Sequence, residues 1–444
     1  MPAAPLTRRS CLGSLAGALA SNAARAQPGR PNVVLIVSDD HGYADSSCYE
    51  HPDEVRTPNL DHLARRGVRF TCGYASAYVC APTRAGLMTG RYQQRFGFYT
   101  ASDSRIGLPL GEITIAGVLR RHGYATGAFG KWHLGIEPEY HPLKRGFEEF
   151  YGFLGHGAHD YFNLRRTEPF NSIWRNDQMV DDTGYLTDNL AREAVGFIER
   201  HRARPFFLYL PFNAVHFPLQ APEEDIRRHG TGNRNRDIYL GMLDRMDGAV
   251  GAVLTALERH GLERNTLLFF FSDNGGARQN FANNGALRDF KHSVYEGGIR
   301  VPFLASWPAR LPQNTVCREP VICLDIFPTI CAATGAALPK DRVLDGRDML
   351  PALLGKASRP LHEALFWDGD EERRAVRAGS WKLVDNRGAL ELYHLESDLS
   401  EKNNLAGQRP EIVKRLQETF AAWRRTMAPR LARRGRSDSG DGGG

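Results

Sequence analysis

The chain has 444 residues, 42% of them hydrophobic, with 57 Lys and Arg against 51 Asp and Glu for a net charge of +6. Such a chain can bury a substantial core without disulfide or metal staples, and none of its uncharged apolar runs approaches the ~18 residues that would cross a bilayer. The basic excess lies in the two ends, +3 in residues 1–26 and +4 in 424–444, leaving −1 on the body, so the folded part offers no basic face for nucleic acid.

Thr7-Arg8-Arg9-Ser10-Cys11-Leu12 precedes a mildly apolar stretch that ends at Ala24-Arg25-Ala26. This resembles a twin-arginine export signal with a small-x-small cleavage site, so residues 1–26 are expected to direct the protein to the periplasm or the outside of the cell. Loss of Cys11 with that segment leaves six cysteines, Cys48, Cys72, Cys80, Cys317, Cys323 and Cys331, whose spacing suits neither a zinc motif nor a disulfide framework.

From residue 27 the order is strand, loop, helix, repeated. Val33–Val37 is a continuous apolar run of the kind buried on both faces of a sheet, and it ends in Ser38-Asp39-Asp40. Residues 57–67 read as a helix with Thr57 as N-cap candidate, Pro58 in the first turn and Gly67 past the end. A second run, Ala125–Phe129, leads into Gly130-Lys131-Trp132-His133. Leu190, Ala194, Phe197 and Ile198 mark a helical stripe, after which Phe206–Leu210 leads to Asn213-Ala214-Val215-His216. Leu243, Met246, Val250, Val253, Leu254 and Leu257 mark a longer helix that stops at Gly261, and Leu267–Phe271 then runs into Ser272-Asp273-Asn274-Gly275-Gly276. Lys291 follows, before an apolar strand from Val301. The alternation predicts an α/β fold with a mainly parallel sheet covered by helices.

Residues 27–355 form the expected catalytic domain. The stretch 356–360 reads as a link, Ala375–Val384 and Ala389–Leu395 as strands, and Ile412, Leu416 and Phe420 as one helix, giving a small α+β subdomain over 356–423 and a disordered basic and Gly-rich tail over 424–444.

In open α/β sheets ligands bind at the carboxyl ends of strands. Asp39, Asp40, Asp273 and Asn274 therefore face one crevice, where carboxylates so crowded need a cation between them. All-oxygen ligation suits Ca²⁺, or less readily Mg²⁺. Lys131, His133 and His216 arrive at the same edge, which points to acid/base chemistry on an anion.

Val79-Cys80-Ala81-Pro82-Thr83-Arg84 and its continuation through Thr89-Gly90-Arg91 complete the pattern. With Asp39-Asp40, Gly130-Lys131-Trp132-His133, His216, Asp273-Asn274 and Lys291 in that order, the chain resembles the type I sulfatases of the alkaline phosphatase superfamily, in the galactosamine-6-sulfatase-like and bacterial arylsulfatase branch. The likeness extends over about residues 30–405 and includes Trp381-Lys382-Leu383-Val384. It differs in Thr83 for the commoner Ser, and in His41 and Ala44.

The resemblance implies a large mixed, mainly parallel sheet sandwiched by helices, and a sulfuric ester hydrolase. It further implies that a separate maturation enzyme oxidises Cys80 to Cα-formylglycine, whose hydrate attacks sulfur. By the same resemblance Asp39, Asp40, Asp273, Asn274 and residue 80 ligate the metal, and Arg84 holds residue 80 and the carboxylates. Lys131 and Lys291 offset developing charge, His133 is the base that helps release sulfate, and His216 serves the leaving oxygen. Residues 155–177 interleave aromatics with His, Asp and Arg, as suits a sugar ring, so a sulfated saccharide is the preferred substrate, with aryl sulfates as surrogates. A phosphonate or phosphate-diester hydrolase, and a non-catalytic binder of sulfated glycans, stay open at this stage.

Overall fold

A computed structural model describes residues 29–49, 53–155, 159–165, 167–370 and 373–431. The expected export segment 1–26 and the end of the chain from 432 lie outside these residues. Among the described residues sixteen strands occur in chain order: β1 Asn32–Ser38, β2 Val68–Phe70, β3 Gly73–Tyr74, β4 Ala125–Lys131, β5 Glu149–Phe153, β6 Ile173–Arg175, β7 Gln178–Val180 and β8 Phe206–Pro211 in the first half, then β9 Thr266–Ser272, β10 Phe303–Ser306, β11 Thr315–Cys317, β12 Val321–Ile322, β13 Leu365–Asp370, β14 Arg373–Ala378, β15 Trp381–Asn386 and β16 Ala389–His394.

Ten of them form one sheet in the order β11-β2-β10-β9-β1-β8-β4-β5-β6-β7. Its five central strands are parallel, and antiparallel pairings begin at β10 on one side and β6 on the other. The four apolar runs of the sequence are four adjacent members of this parallel block. Because side chains alternate across a strand, Val33, Leu35 and Val37 enter one hydrophobic cluster while Val34 and Ile36 enter the other. Helices Pro58–Arg65, Leu186–His201 and Arg234–Arg259 cover the second face, and Cys80–Thr89, Ile115–Arg121 and Ile326–Thr334 cover the first. Both layers are needed, since continuous apolar strands leave neither face fit for water. Among the described residues no helix is long and apolar enough to cross a membrane.

Several local expectations change. Thr57 precedes the first helix but its side chain makes no cap bond; its hydroxyl is taken by Ser47 at 2.8 Å. The strand expected from Val301 begins at Phe303. Ala375–Val384 is two strands, because Gly379 adopts φ 58° and turns the chain back, pairing Ala378 with Trp381. β13, which pairs with β14 in the same four-stranded antiparallel sheet, was not foreseen. The terminal helix Pro410–Arg424 packs Leu416 on Val376, Leu383 and Leu392. The chain does not leave the fold at 424. Arg430 pairs with Asp103 at 2.9 Å, and the Ala428 and Leu431 amides donate to the Gln94 and Gly97 carbonyls, so polar contacts hold a segment read from composition as tail.

His362, in the link to the subdomain, donates from Nε2 to Asp325 at 2.8 Å. Burial opposes its charge, but Asp325 outweighs burial and raises its pKa above the ordinary value. A raised folded pKa contributes stability that is complete below the unfolded value near ~6.5 and disappears as pH rises through the folded one. His362→Gln is therefore expected to lower the melting temperature more at pH 5.5 than at pH 9, as read by calorimetry; an equal deficit at both would refute the charged pair.

Candidate active site

The site forms where β1, β4, β8 and β9 end. Asp39 is anchored by its own backbone: its N–H donates to the Ala214 carbonyl at 3.0 Å and its carbonyl accepts from the Val215 N–H at 2.9 Å. Asp40 then turns with φ 58°, and His133, beyond β4, adopts the same value. Left-handed non-glycine residues cost of order 1 kcal/mol or more and cluster at functional sites. The Cys80–Thr89 helix begins at Cys80, after Val79 in extended conformation, and is buried along its whole length. Thr83 accepts from the Ala77 N–H through its hydroxyl, at 3.2 Å, which fixes the turn into the helix and explains why Thr can stand where Ser is commoner.

The side chains converge. Arg84 Nε donates to Asp273 Oδ2 at 2.8 Å, Nη2 to Asp39 Oδ2 at 3.3 Å and Nη1 to the Lys131 carbonyl at 3.0 Å. Lys131 Nζ pairs with Asp39 Oδ2, and Lys291 Nζ with Asp40 Oδ1 at 2.6 Å. His216 lies with Nε2 3.6 Å from Asp40 Oδ2. Its Nδ1 is 2.7 Å from the Phe217 carbonyl; a carbonyl only accepts, so Nδ1 carries a hydrogen and Nε2 is the nitrogen left for the site. Cys80 Sγ and one oxygen each of Asp39 and Asp273 lie within 4.8 Å of one another. Asp39, Asp40, Cys80, Arg84, Lys131, His216, Asp273, Asn274 and Lys291 thus meet at one sheet edge, all buried except His216 and Lys291, which are half-buried, while His133 is buried just beyond β4.

Among the described residues, three buried acceptors, Asp39 Oδ1, Asp273 Oδ1 and Asn274 Oδ1, find no hydrogen-bond partner. A buried unsatisfied oxygen costs roughly 1–3 kcal/mol, and three at one point, two of them on carboxylates, fit a hard divalent cation. The electrostatics agree. Burial and the nearby Asp39 charge push Asp273 up to about 6, despite Arg84 and Lys131. Asp39 is held well below the usual carboxylate range, since Lys131, His216, Arg84 and Lys291 together outweigh its burial. Asp40 differs from the other ligands predicted for the metal: it already accepts from Lys291, from Asn274 Nδ2 at 2.8 Å and from Asn280 Nδ2 at 3.1 Å. Lys291 and Asn274 both bond to Oδ1 and Asn280 to Oδ2, so Oδ2 keeps a further lone pair and the donor set remains suited to the ion.

Burial raises the Cys80 thiol pKa, with Lys131 and Lys291 opposing. As a cysteine it is a thiol at neutral pH and a weak nucleophile. Asn280, missed in the sequence, bridges Asp40 and the Val215 carbonyl at 3.1 Å each. Asn213 has both side-chain polar atoms buried and unsatisfied just ahead of His216. Neither belongs to a recognisable pair; the only sequence signal was an asparagine in the loops after Phe206–Leu210 and Leu267–Phe271. The 155–177 region reaches the site through Tyr161, whose hydroxyl lies 2.8 Å from the Asn213 carbonyl and 2.9 Å from that of His216.

Comparison with known proteins gives one consistent answer. A family described as Sulfatase matches residues 31–336, and one described as N-sulphoglucosamine sulphohydrolase, C-terminal, matches 288–426. Arylsulfatase A of Homo sapiens is 36% identical over 466 residues, covering 91% of this chain and 89% of that protein. N-acetylgalactosamine-6-sulfatase of Canis lupus familiaris is 36% identical over 385 residues, covering 80% and 72%. A crystal structure of Ps i-CgsB in complex with k-i-k-neocarrahexaose superposes with a TM-score of 0.85 at 36% identity, covering 90% and 94% of the two chains.

Proposed function

The chain belongs to the sulfatase family and hydrolyses sulfate esters, and we propose that its natural substrate is a sulfated saccharide, cleaved after Cys80 has been converted to formylglycine and with Ca²⁺ at the strand ends. The observation that carries the site assignment is the convergence of three partnerless buried oxygens, Arg84, Lys131 and Lys291 on Cys80 at the start of a helix. The relatives favour the sugar: one is named for N-acetylgalactosamine 6-sulfate and a solved structure holds a neocarrahexaose.

Asp39, Asp40, Asp273, Asn274 and residue 80 would hold the cation, which supplies polarisation of a sulfate oxygen. Formylglycine supplies, as its hydrate, the oxygen that attacks sulfur. Arg84 fixes the carboxylates around that point, and Lys131 and Lys291 offset the negative charge that grows on the sulfate oxygens. A helix N-terminus adds its unpaired N–H groups at the same place. With Nδ1–H held by the Phe217 carbonyl, His216 presents Nε2 to the leaving oxygen and would deliver a proton there as the imidazolium, and His133 would move the proton that accompanies sulfate release. Residues 27–355 form the catalytic domain and 356–423 a subdomain, exported by the leader at 1–26.

Sulfate release from a panel of sulfated sugars, with a phosphate diester beside an aryl sulfate, tests this reading. Sugars should be desulfated and the diester turned over far more slowly; activity confined to aryl sulfates would sink the saccharide assignment. Chelated protein should also gain thermal stability on adding Ca²⁺, about 2.7 kcal/mol at a hundredfold excess over Kd. An equal gain with Mg²⁺ at the same concentration would overturn the choice of ion.

A further inference from the structure

The subdomain reaches the active site at a point that the reaction itself does not use. Trp367, in the middle of β13, donates from its indole to the Ala75 carbonyl at 2.8 Å. Two residues on, Gly369 lies so close to Tyr78 that a Cβ there would overlap its hydroxyl and ring. β13 therefore runs beside the segment that ends at Cys80. On its far side, Arg373 Nη1 donates to the carbonyl of His292 at 3.0 Å. His292 directly follows Lys291, stands with φ 71°, and donates its own N–H to the Tyr78 carbonyl at 3.1 Å. One residue beyond a catalytic cation, the rim thus holds a guanidinium borne by the other domain.

Arg373 is not consumed by the fold. Its neighbour Arg374 faces Asp368 and Asp385, at 3.6 Å and 3.9 Å, whereas no described carboxylate pairs with Arg373, which is only half-buried. Among the described residues its one bond goes to a backbone carbonyl, which orients the guanidinium without neutralising it and leaves most of its five donors to other groups. Lys131, by contrast, is paired with Asp39 and Lys291 with Asp40.

The geometry points to Arg373 as a specificity residue that reads a second anionic group on the substrate, so that the saccharide taken is one carrying another sulfate or a carboxylate beside the scissile ester. This rests on the saccharide reading above and adds to it. Arginine meets such groups through two parallel hydrogen bonds, and a charge-assisted pair of that kind is worth about tenfold in affinity.

The test uses the full mature chain, with 4-nitrophenyl sulfate as reporter and a hexosamine monosulfate and the disulfate of the same hexosamine as competing ligands. For the native protein the disulfate should inhibit about ten times more tightly than the monosulfate. In Arg373→Gln the ratio of the two inhibition constants should fall to near one, and in Arg373→Lys to an intermediate value. Taking the ratio within each protein cancels any general loss of affinity. A native ratio near one, or a ratio unchanged in Arg373→Gln, overturns the assignment even if both sugars are desulfated. Sugars that neither bind nor react while the aryl sulfate is hydrolysed overturn the saccharide reading and this inference with it.

Discussion

Cys80→Ala is expected to lower sulfate release from an aryl sulfate by more than about a thousandfold while leaving the fold and most of the Ca²⁺-dependent stabilisation in place. The side chain of Cys80 is small and sits at the start of a helix that has no side-chain cap bond, and the turn leading into it is held by Thr83 and not by sulfur. On the proposed site, removing it takes away one of five donors to the ion and the one that carries the reacting oxygen. Steady-state turnover and a melting curve with and without Ca²⁺ separate the two effects. Activity within tenfold of native, with the melting curve unchanged, would mean that the nucleophile lies elsewhere. Asp39→Asn should give the contrary pattern: it removes a ligand and also the counter-charge of Lys131 and Arg84, so turnover and the Ca²⁺ shift should be lost together.

The central sheet, and the meeting of side chains at its edge, were legible in the sequence for one physical reason. A strand buried on both faces must be apolar throughout, so Val33–Val37 and Leu267–Phe271 stand out, and in a parallel block the residues just after them share one edge. Asp39, His216 and Asp273 could be placed together on that logic alone. What escaped notice depends on register and turns. Ala375–Val384 looks continuous because its apolar residues outnumber the single Gly379 that breaks it. β13 contains Asp368 and Gly369 and shows no clean alternation, yet its glycine is what lets it lie against Tyr78. Asn280 and Arg373 reach the site by packing of distant segments, and nothing in their local sequence marks them.

The same dependence on distant packing governs Lys382, which lies on β15 and is wholly buried. Its ammonium stands 2.8 Å from Glu296 Oε1 and 2.8 Å from Glu401 Oε1. Glu401 also accepts the Glu296 N–H at 2.7 Å, and Glu296 accepts from the Tyr74 hydroxyl at 2.7 Å and from Arg300 at 3.2 Å. Burial opposes charge on both carboxyls. For Glu296 the cations Lys382, Arg300 and Arg377 prevail and bring it down to about 2; Glu401, with Lys382 as its cation and Glu296 as a neighbour, is pushed up to about 7. Lys382→Met should therefore cost about 3–5 kcal/mol, because a buried pair broken from one side strands the charge on the other. At the roughly 2 °C per kcal/mol seen for larger domains, the melting temperature would fall by about 6–10 °C.

The pH dependence identifies the cause. Without Lys382, Glu401 rises further above its unfolded value near ~4.3. A carboxyl with a raised folded pKa gives the folded state a proton that the unfolded state lacks, so stability falls as pH climbs through the interval between the two values. The deficit of Lys382→Met should accordingly be larger at pH 8 than at pH 5. Adding Glu401→Gln should recover part of it at pH 8, since the amide still accepts from the Glu296 N–H and brings no charge. A deficit independent of pH and indifferent to Glu401→Gln would show that Lys382 contributes packing alone. Glu296 opens the short helix Glu296–Ile299, five residues past Lys291. The charge that joins the subdomain to the catalytic domain is thus tied to the segment that carries Lys291, for which a catalytic role is proposed, and loss of turnover in Lys382→Met at temperatures below its melting point is expected to accompany the loss of stability.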